Sequence, residues 1–431
     1  MGLTQQLVKF STAEVPEEAA AMMRLSLFDW AACGIAGARE AEFAPFRRAA
    51  MVEEGPAHIF GGDGAGAATA ALINGTLSHA LDYDDTHFAH IGHPSVAVLP
   101  AVMTLAETLD TPLTDAIDAA AVGVEASIMV GVWLGRGHYQ IGYHQTATAG
   151  AFGATLAAAR MLGLDAGQTR HALGLCASMA SGIKAQFGTM AKPLNAGLAA
   201  RTGVEAALWA QAGMTAAEDG LEGPLGFGVT HHGEGAEVKP PRKEWQISEI
   251  SHKFHACCHG LHAMLEALAD VGLEADRIAA VKIRTHPRWM SVCNIAEPKT
   301  GLEVKFSYRH TAAMTLLGHS TGAIANFSDA VARDKDIIAL RDKIEVVEDE
   351  TLSETQSQVT LTLTSGEVRR LRHDLMTPIT LEARSVKLRS KVQALLGEGH
   401  GDALWTAVTG SDLDAVTACF EGAKGSGDDG R

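Results

Sequence analysis

The sequence predicts a mainly α protein with an α+β second domain, the helical part being a large all-helical domain formed by both chain ends. Three observations carry this. From Pro16 to about Ala212 the pattern is helical almost throughout and dense in Ala and Gly. After about Gly213 the chain turns rich in Gly, Pro and charge. Beyond Val281, short alternating segments and a turn signal at Ser365-Gly366 mark strands.

The elements follow in order. Ser11-Thr12 form a cap region, and Pro16 stands at a first-turn position before Glu17-Glu18 and the apolar run to Cys33. Further helices are expected over 65–82, 95–109, 113–134, 146–163, 166–182 and 195–212, separated by Gly, Pro or Asp, and no stretch among them alternates like a strand. The small residues of Thr146-Ala-Thr-Ala-Gly-Ala-Phe-Gly-Ala-Thr155 let helix backbones approach closely. Residues 214–250 read as a long connection. Then come a helix over 257–271, an alternating strand Val281-Lys-Ile-Arg-Thr-His286, a helical segment over 309–325 and strands at 343–348 and 358–364, the last entering a hairpin with Val368–Arg372. A helix over 386–397 and the 403–421 segment return to the helical body. The division is 1–240 helical, completed by 386–431, with 241–385 as the α+β domain.

Composition narrows the function. At 431 residues the chain is long enough for two domains and for a large interior to shape a pocket. Charged residues are 20% and apolar residues 47% of the chain, which excludes disorder as the main state. A net charge of −16 repels polyanions, and lysines and arginines occur singly or in pairs such as Arg369-Arg370, so no nucleic-acid stripe exists. Six cysteines, only two of them adjacent, fit reduced thiols in a cytoplasmic protein. The N-terminus lacks a basic segment followed by an apolar run, and no apolar stretch of about twenty residues is seen, so a soluble intracellular protein is expected with no membrane partner. The tail 425–431 has the composition of a frayed end.

Five groups could carry chemistry. The first is Ala80-Leu-Asp-Tyr-Asp-Asp-Thr86 with His87, His90 and His93-Pro94-Ser95. Asp82 and Thr86, four apart, would share a helical face if the helix continued that far. Acidic groups near a helix C-terminus oppose its dipole, which argues against a purely structural role, although Asp85 or Ser95 could simply cap a neighbouring helix. The second is Tyr139 and His144, expected in a loop between helices, where either could move a proton; a gap-filling tyrosine is the plainer alternative. The third is Lys192-Pro193 at a helix start, where an ammonium beside the positive dipole end attracts a carboxylate, unless the lysine merely snorkels. The fourth is His252–His262: His255, His259 and His262 could share a helical face and, with Cys258, bind zinc, but no paired CxxC or HExxH spacing supports a metal. The fifth is Lys305-Phe-Ser-Tyr-Arg309-His310, two cations opening a helix.

Together these segments resemble the MmgE/PrpD family, which includes 2-methylcitrate dehydratase, cis-aconitate decarboxylase and iminodisuccinate epimerase. The resemblance covers roughly residues 3 to 400 and rests on five motifs in the family's order: LDYDDTH…HPS, GYHQTATAGAFGAT, FGTMAKPLNAGLAARTG, HKFHACCHGLHA and KFSYRHTAA. It implies site residues at Asp82, Thr86, His93, His144, Lys192 and His262, with His310 at a further family position. In the mechanism expected from these groups, Asp82, His93 and His144, with Tyr139 possible, divide the acid and base roles, and Lys192, with Lys253 or Arg309, neutralises substrate carboxylates. It further implies an α+β lid domain, a homodimer, and no metal or organic cofactor. Two departures bear on substrate: the Thr86–His93 loop is one residue longer than in the decarboxylase branch, and His310 stands where the family often has tyrosine.

The expected activity is a cofactor-independent lyase on a small di- or tricarboxylate, dehydration being favoured over decarboxylation. Epimerisation of an iminodisuccinate-like acid is the alternative within enzymes. A zinc-dependent hydrolase and a non-catalytic carboxylate-binding protein are the distant ones.

Overall fold

The computed structural model describes every residue except Asp63, 239–243, Asp270 and 424–431, so the 425–431 tail lies outside the described residues. The chain divides into two compact units, Met1–His252 with Leu396–Arg431, and Lys253–Leu395. The first is helical and the second α+β, the fold class read from the sequence.

The helical unit runs α1 (Leu3–Phe10), α2 (Glu17–Gly37), α3 (Ala44–Ala50), a two-residue antiparallel pair β1 (Ala57–His58) and β2 (Gly64–Ala65), α4 (Ala67–Ser78), α5 (Ser95–Leu109), α6 (Leu113–Ile141), α7 (Gln145–Met161), α8 (Ala166–Met179), α9 (Ala191–Gln211) and α10 (Phe227–Thr230). Its interior is built from small side chains. Ala71, Ala101, Ala154, Ala158, Ala200 and Ala207 pack with Leu105 and Val204 in one buried cluster. α4 and α9 cross closely at Gly75 and Gly197: a methyl group on Gly75 would lie 2.8 Å from the Gly197 Cα, so only glycine fits.

The α+β unit contains α11 (His262–Leu268), β3 (Ile278–Thr285), α12 (Pro287–Val292), α13 (Gly301–Val304), α14 (Tyr308–Leu316), α15 (Asp329–Ala332), α16 (Lys335–Arg341), β4 (Ile344–Glu348), β5 (Gln356–Leu363) and β6 (Val368–Asp374). Its sheet has the order β4-β3-β5-β6, with β3 parallel to β4 and antiparallel to β5. Every second residue of β5 is buried, so one face packs inward, and the β5–β6 hairpin turns at Gly366 with φ 88°. After α17 (Leu381–Leu396), α18 (Glu398–Gly410) and α19 (Leu413–Ala418) return to the helical unit. There the Phe28 and Trp405 rings lie 5.0 Å apart, and Phe420 closes on Phe60 at 4.4 Å and on Trp30 at 5.9 Å.

Several expectations are corrected. The helix expected over 65–82 ends at Ser78, because the chain turns at residues 79–82 and Asp82 takes a left-handed φ of 49°. Asp82 and Thr86 therefore share no helical face; Thr86 pairs with Ser251 in an antiparallel bridge. The helix expected to end at 134 continues to Ile141 across a kink at Gly135, so Tyr139 is helical rather than in a loop. The 257–271 helix shrinks to a 3-10 turn, His259–Leu261, and α11, so His255, His259 and His262 do not form one helical face. The 309–325 helix stops at Leu316, before Gly318 with φ 79°. Finally, α2 and α6 are long and apolar enough to span a bilayer, contrary to the reading of the sequence. However, 83% of the apolar window of each is buried within the protein, which explains their composition as that of core helices.

Candidate active site

The C-terminal end of α4, the segment that follows it, and the first turns of α7 and α9 meet in the helical unit. The glycine-to-glycine crossing of α4 and α9 is what allows it, since it brings the residues after Ser78 against the start of α9. Lys192 lies in the first turn of α9, with its side chain 15% exposed, and its Nζ is 2.7 Å from Asp82 Oδ1. The same carboxylate oxygen is 3.3 Å from His93 Nε2, and the Asp82 side chain is 50% exposed. Aspartate tolerates the left-handed backbone better than most residues, and here that conformation aims a carboxylate at a lysine and an imidazole together.

Behind this exposed layer lies a buried one. Asp84, with its side chain 3% exposed, accepts a hydrogen bond from His79 Nδ1 at 2.9 Å and has Oδ2 2.9 Å from His93 Nδ1. Burial pushes the Asp84 carboxyl up, but the imidazoles of His79 and His93 outweigh it and hold the group well below the usual carboxylate range. His79 itself is lowered to about 4, chiefly by burial, and is neutral near pH 7. Asp85, next in sequence, has a different task. It accepts from Ser95 Oγ at 2.5 Å and Ser26 Oγ at 2.8 Å and so fixes the start of α5. Burial raises its carboxyl against those two hydroxyls.

His93 is held by its backbone, whose N–H donates to Thr146 Oγ1 at 3.1 Å in the first turn of α7. His144 caps α7: its N–H donates to the Gly182 carbonyl at 3.0 Å, and its Nδ1 is 3.2 Å from Asn195 Nδ2. Its ring lies parallel to His79 at 6.0 Å and edge-on to Phe187 at 5.0 Å. Burial first, then the charges of His79 and Lys192, hold His144 well below its ordinary value, so it is a neutral imidazole. His87 and His90 are scaffold. Burial lowers them to about 4 and about 3, with His87 Nε2 donating to the Gln246 carbonyl and His90 Nε2 paired with Ser127 Oγ.

Asp82, His93, Lys192 and His144 thus fall in one place. Tyr139 faces Lys184, whose Nζ lies 3.7 Å above its ring and donates to its carbonyl, and Thr86 Oγ1 donates to the Ser251 carbonyl. The remaining candidates belong to the α+β unit. His262 is buried, with Nε2 3.3 Å from the Cys257 carbonyl and its ring against His255 and His259. Lys253 is buried and adds to the charge acting on His262. Arg309 lies on α14, and its Nε is buried without a hydrogen-bond partner among the described residues. His310 turns inward, where its Nε2 donates to the Val331 carbonyl.

Three residues of the site were not singled out from the sequence: His79, Asp84 and Asn195. Asp84 sat in view within the acidic run. Nothing in spacing alone separates it from Asp85, because the distinction arises from which neighbours the turn brings to each. Donor atoms of His79, Asp82, Asp84 and His93 lie within 4.8 Å of one another, close enough to surround a cation. The Lys192 ammonium at 2.7 Å pairs with Asp82, and the Nδ1 atoms of His79 and His93 face Asp84.

The chain is similar to known proteins over most of its length. The model of the MmgE/PrpD N-terminal domain matches residues 2–238, and that of the C-terminal domain matches 255–409. Cis-aconitate decarboxylase of Aspergillus terreus is 30% identical over 294 residues, 63% of this chain and 60% of its own length. The human cis-aconitate decarboxylase is 29% identical over 266 residues, 58% and 55% respectively. The cis-aconitate decarboxylase-like protein oryM of Aspergillus oryzae is 28% identical over 288 residues, 62% and 60%. The aligned part of the chain thus spans about 60% of the length of these first two Aspergillus relatives.

Proposed function

The chain belongs to the MmgE/PrpD family, and from that premise we propose that it is a lyase acting, without a metal or organic cofactor, on a small di- or tricarboxylate of the cis-aconitate or 2-methylcitrate kind. The observation that carries this is the contact of Lys192 with Asp82 and of Asp82 with His93, 2.7 and 3.3 Å. An ammonium at a helix start receives a substrate carboxylate; an imidazole beside it exchanges a proton at the neighbouring carbon. Charge developing on that carbon is delocalised into the carboxylate and held by Lys192 and by neutral hydrogen-bond donors.

Cleavage of a C–C bond, releasing carbon dioxide and reprotonating the carbon it leaves, is the first reading, because several similar proteins carry the name cis-aconitate decarboxylase. Cleavage of a C–O bond, releasing water from a hydroxy acid, is the second. It stands beside the first because the Thr86–His93 loop is one residue longer than in the decarboxylase branch and His310 stands where the family often has tyrosine, two departures that bear on the substrate. Tyr139 is proposed as a further proton-transfer group, and Thr86, Lys253, His262, Arg309 and His310 as substrate contacts. So do a homodimer, which light scattering checks, and a cytoplasmic location, which fits the free thiols of all six cysteines.

The test is incubation with citrate, 2-methylcitrate, cis-aconitate and iminodisuccinate in deuterated water, followed by NMR. Loss of a carboxylate from cis-aconitate establishes the first reading, and loss of hydroxyl from 2-methylcitrate the second. Inversion at the carbon of iminodisuccinate would make the protein an epimerase. No change in any of the four acids would overturn the proposed substrate class.

A further inference from the structure

The chain between Asp85 and His93 loops out and returns His93 to the side of Asp84, and it does so through a strained backbone. The His87 N–H donates to the Gly92 carbonyl at 2.9 Å and the Ile91 N–H to the His87 carbonyl at 2.9 Å, which closes the loop. Ile91 has a φ of 56°. A β-branched residue rarely adopts the left-handed region and keeps it only where its surroundings over-determine the chain. Whatever holds this loop therefore also holds His93.

Two anchors are visible. Ser127 of α6 pairs with His90 Nε2 at 3.0 Å. The other anchor is a strap, Trp245–His252. Its Gln246 carbonyl accepts from His87 Nε2 at 3.1 Å, its Ser251 exchanges backbone hydrogen bonds of 2.9 and 2.8 Å with Thr86, and its His252 Nε2 lies 3.1 Å from Ser26 Oγ, which donates to Asp85. The strap is itself pinned at its first turn. Glu125, on α6 and 0% exposed, accepts from the Gln246 N–H at 3.0 Å through Oε1 and from the Ile247 N–H at 2.8 Å through Oε2. These amides open the 3-10 turn Gln246–Glu249, where a helix start leaves N–H groups without partners in the turn. Burial pushes the Glu125 carboxyl up to about 7, with the two N–H groups pulling against it. A carboxyl so costly to bury needs partners, and here the strap supplies them.

We propose that Glu125 is a positioning residue of the active site: by pinning the strap Trp245–His252 it holds the loop 86–92, and with it the 3.3 and 2.9 Å that separate the His93 ring nitrogens from Asp82 and Asp84. It acts through Gln246 and His87 and not on substrate. The proposal rests on the reading of Asp82, His93 and Lys192 as the reacting site and adds what keeps its geometry.

Glu125→Gln tests it. A carboxamide keeps one acceptor and turns an amide nitrogen towards the other N–H, so one hydrogen bond is lost with little change in volume. Hydrogen–deuterium exchange of the full chain at pH 8 without substrate, read by mass spectrometry with fragmentation to single residues, should be faster at Gln246 and Ile247 and also at Thr86, His87 and Ile91, while the amides of α8 and α9 keep their wild-type rates. On the substrate found, kcat should fall roughly tenfold or more with KM little changed, because a misplaced His93 slows the reacting step while Lys192 stays on α9. His87→Phe is the second variant and decides alone if Glu125→Gln does not fold. It cuts the link to the Gln246 carbonyl and leaves Glu125 in place, so Thr86 and Ile91 should exchange faster while Gln246 and Ile247 stay protected. Wild-type exchange at Thr86 and Ile91 in either variant, a uniform rise through the whole helical unit, or an unchanged kcat once the loop has opened would overturn the proposal. Because exchange is read without turnover, a wrong substrate class leaves this test intact.

Discussion

At the scale of single residues, neighbouring carboxylates in one short run have different tasks. Asp82 meets solvent and Lys192, Asp84 meets two imidazoles, and Asp85 meets two hydroxyls. These partners predict different phenotypes. Lys192→Met removes the cation on Asp82 and should raise KM for a polycarboxylate at least about tenfold, about 1.4 kcal/mol of lost binding, as steady-state kinetics on the substrate found will show. Ser95→Ala leaves the buried Asp85 carboxylate one donor short. It should cost about 1–3 kcal/mol in urea unfolding while the affinity for substrate changes little. The sequence displayed Asp82, His93, His144 and Lys192 because charged groups stand out against alanine-rich helices. His79 and Asn195 were hidden because their meaning depends on partners 5 and 51 residues away.

Among the elements, the crossing of α4 and α9 matters most for the site. A methyl on Gly197 would lie 2.2 Å from the Leu72 carbonyl oxygen, which is backbone and cannot step aside. Gly197→Ala should therefore force the two helices apart at a cost of about 1–3 kcal/mol and move Lys192 away from Asp82. Lower thermal stability together with weakened substrate binding is the expected pair of outcomes, and unchanged binding would mean that the crossing does not set the site. Helix positions were legible from apolar periodicity, Ser95–Leu109 to the residue. Helix ends were not, wherever a left-handed residue or a kinking glycine decided them, as at Asp82 and Gly135. The α+β strands were legible because alternation survives in β3 and β5, which bury every second residue over much of their length.

For the molecule as a whole, several imidazoles are stored neutral in the helical unit. His79, His87 and His138 are lowered to about 4 and His90 to about 3, burial being the largest cause in each. The unfolded chain binds protons at these groups near pH 6.5, where the folded chain does not. Their contribution is therefore complete above about pH 6.5 and is lost as pH falls through the folded values towards 4 and 3. Urea unfolding should show stability dropping steeply over that interval, and His90→Gln should flatten the slope. A profile unchanged between pH 7 and 4 would contradict the burial of these rings. Composition announced a chain of two units and a helical majority, but not that so many histidines would be interior, since spacing does not tell a ligand from a scaffold ring.

The closure of Phe420 on Phe60 and Trp30 has a consequence for biosynthesis. While the ribosome is still translating the α+β segment, most of the first unit has been made but its aromatic seam stays open to solvent. Chaperone occupancy of the nascent chain should persist until that late phenylalanine emerges from the exit tunnel.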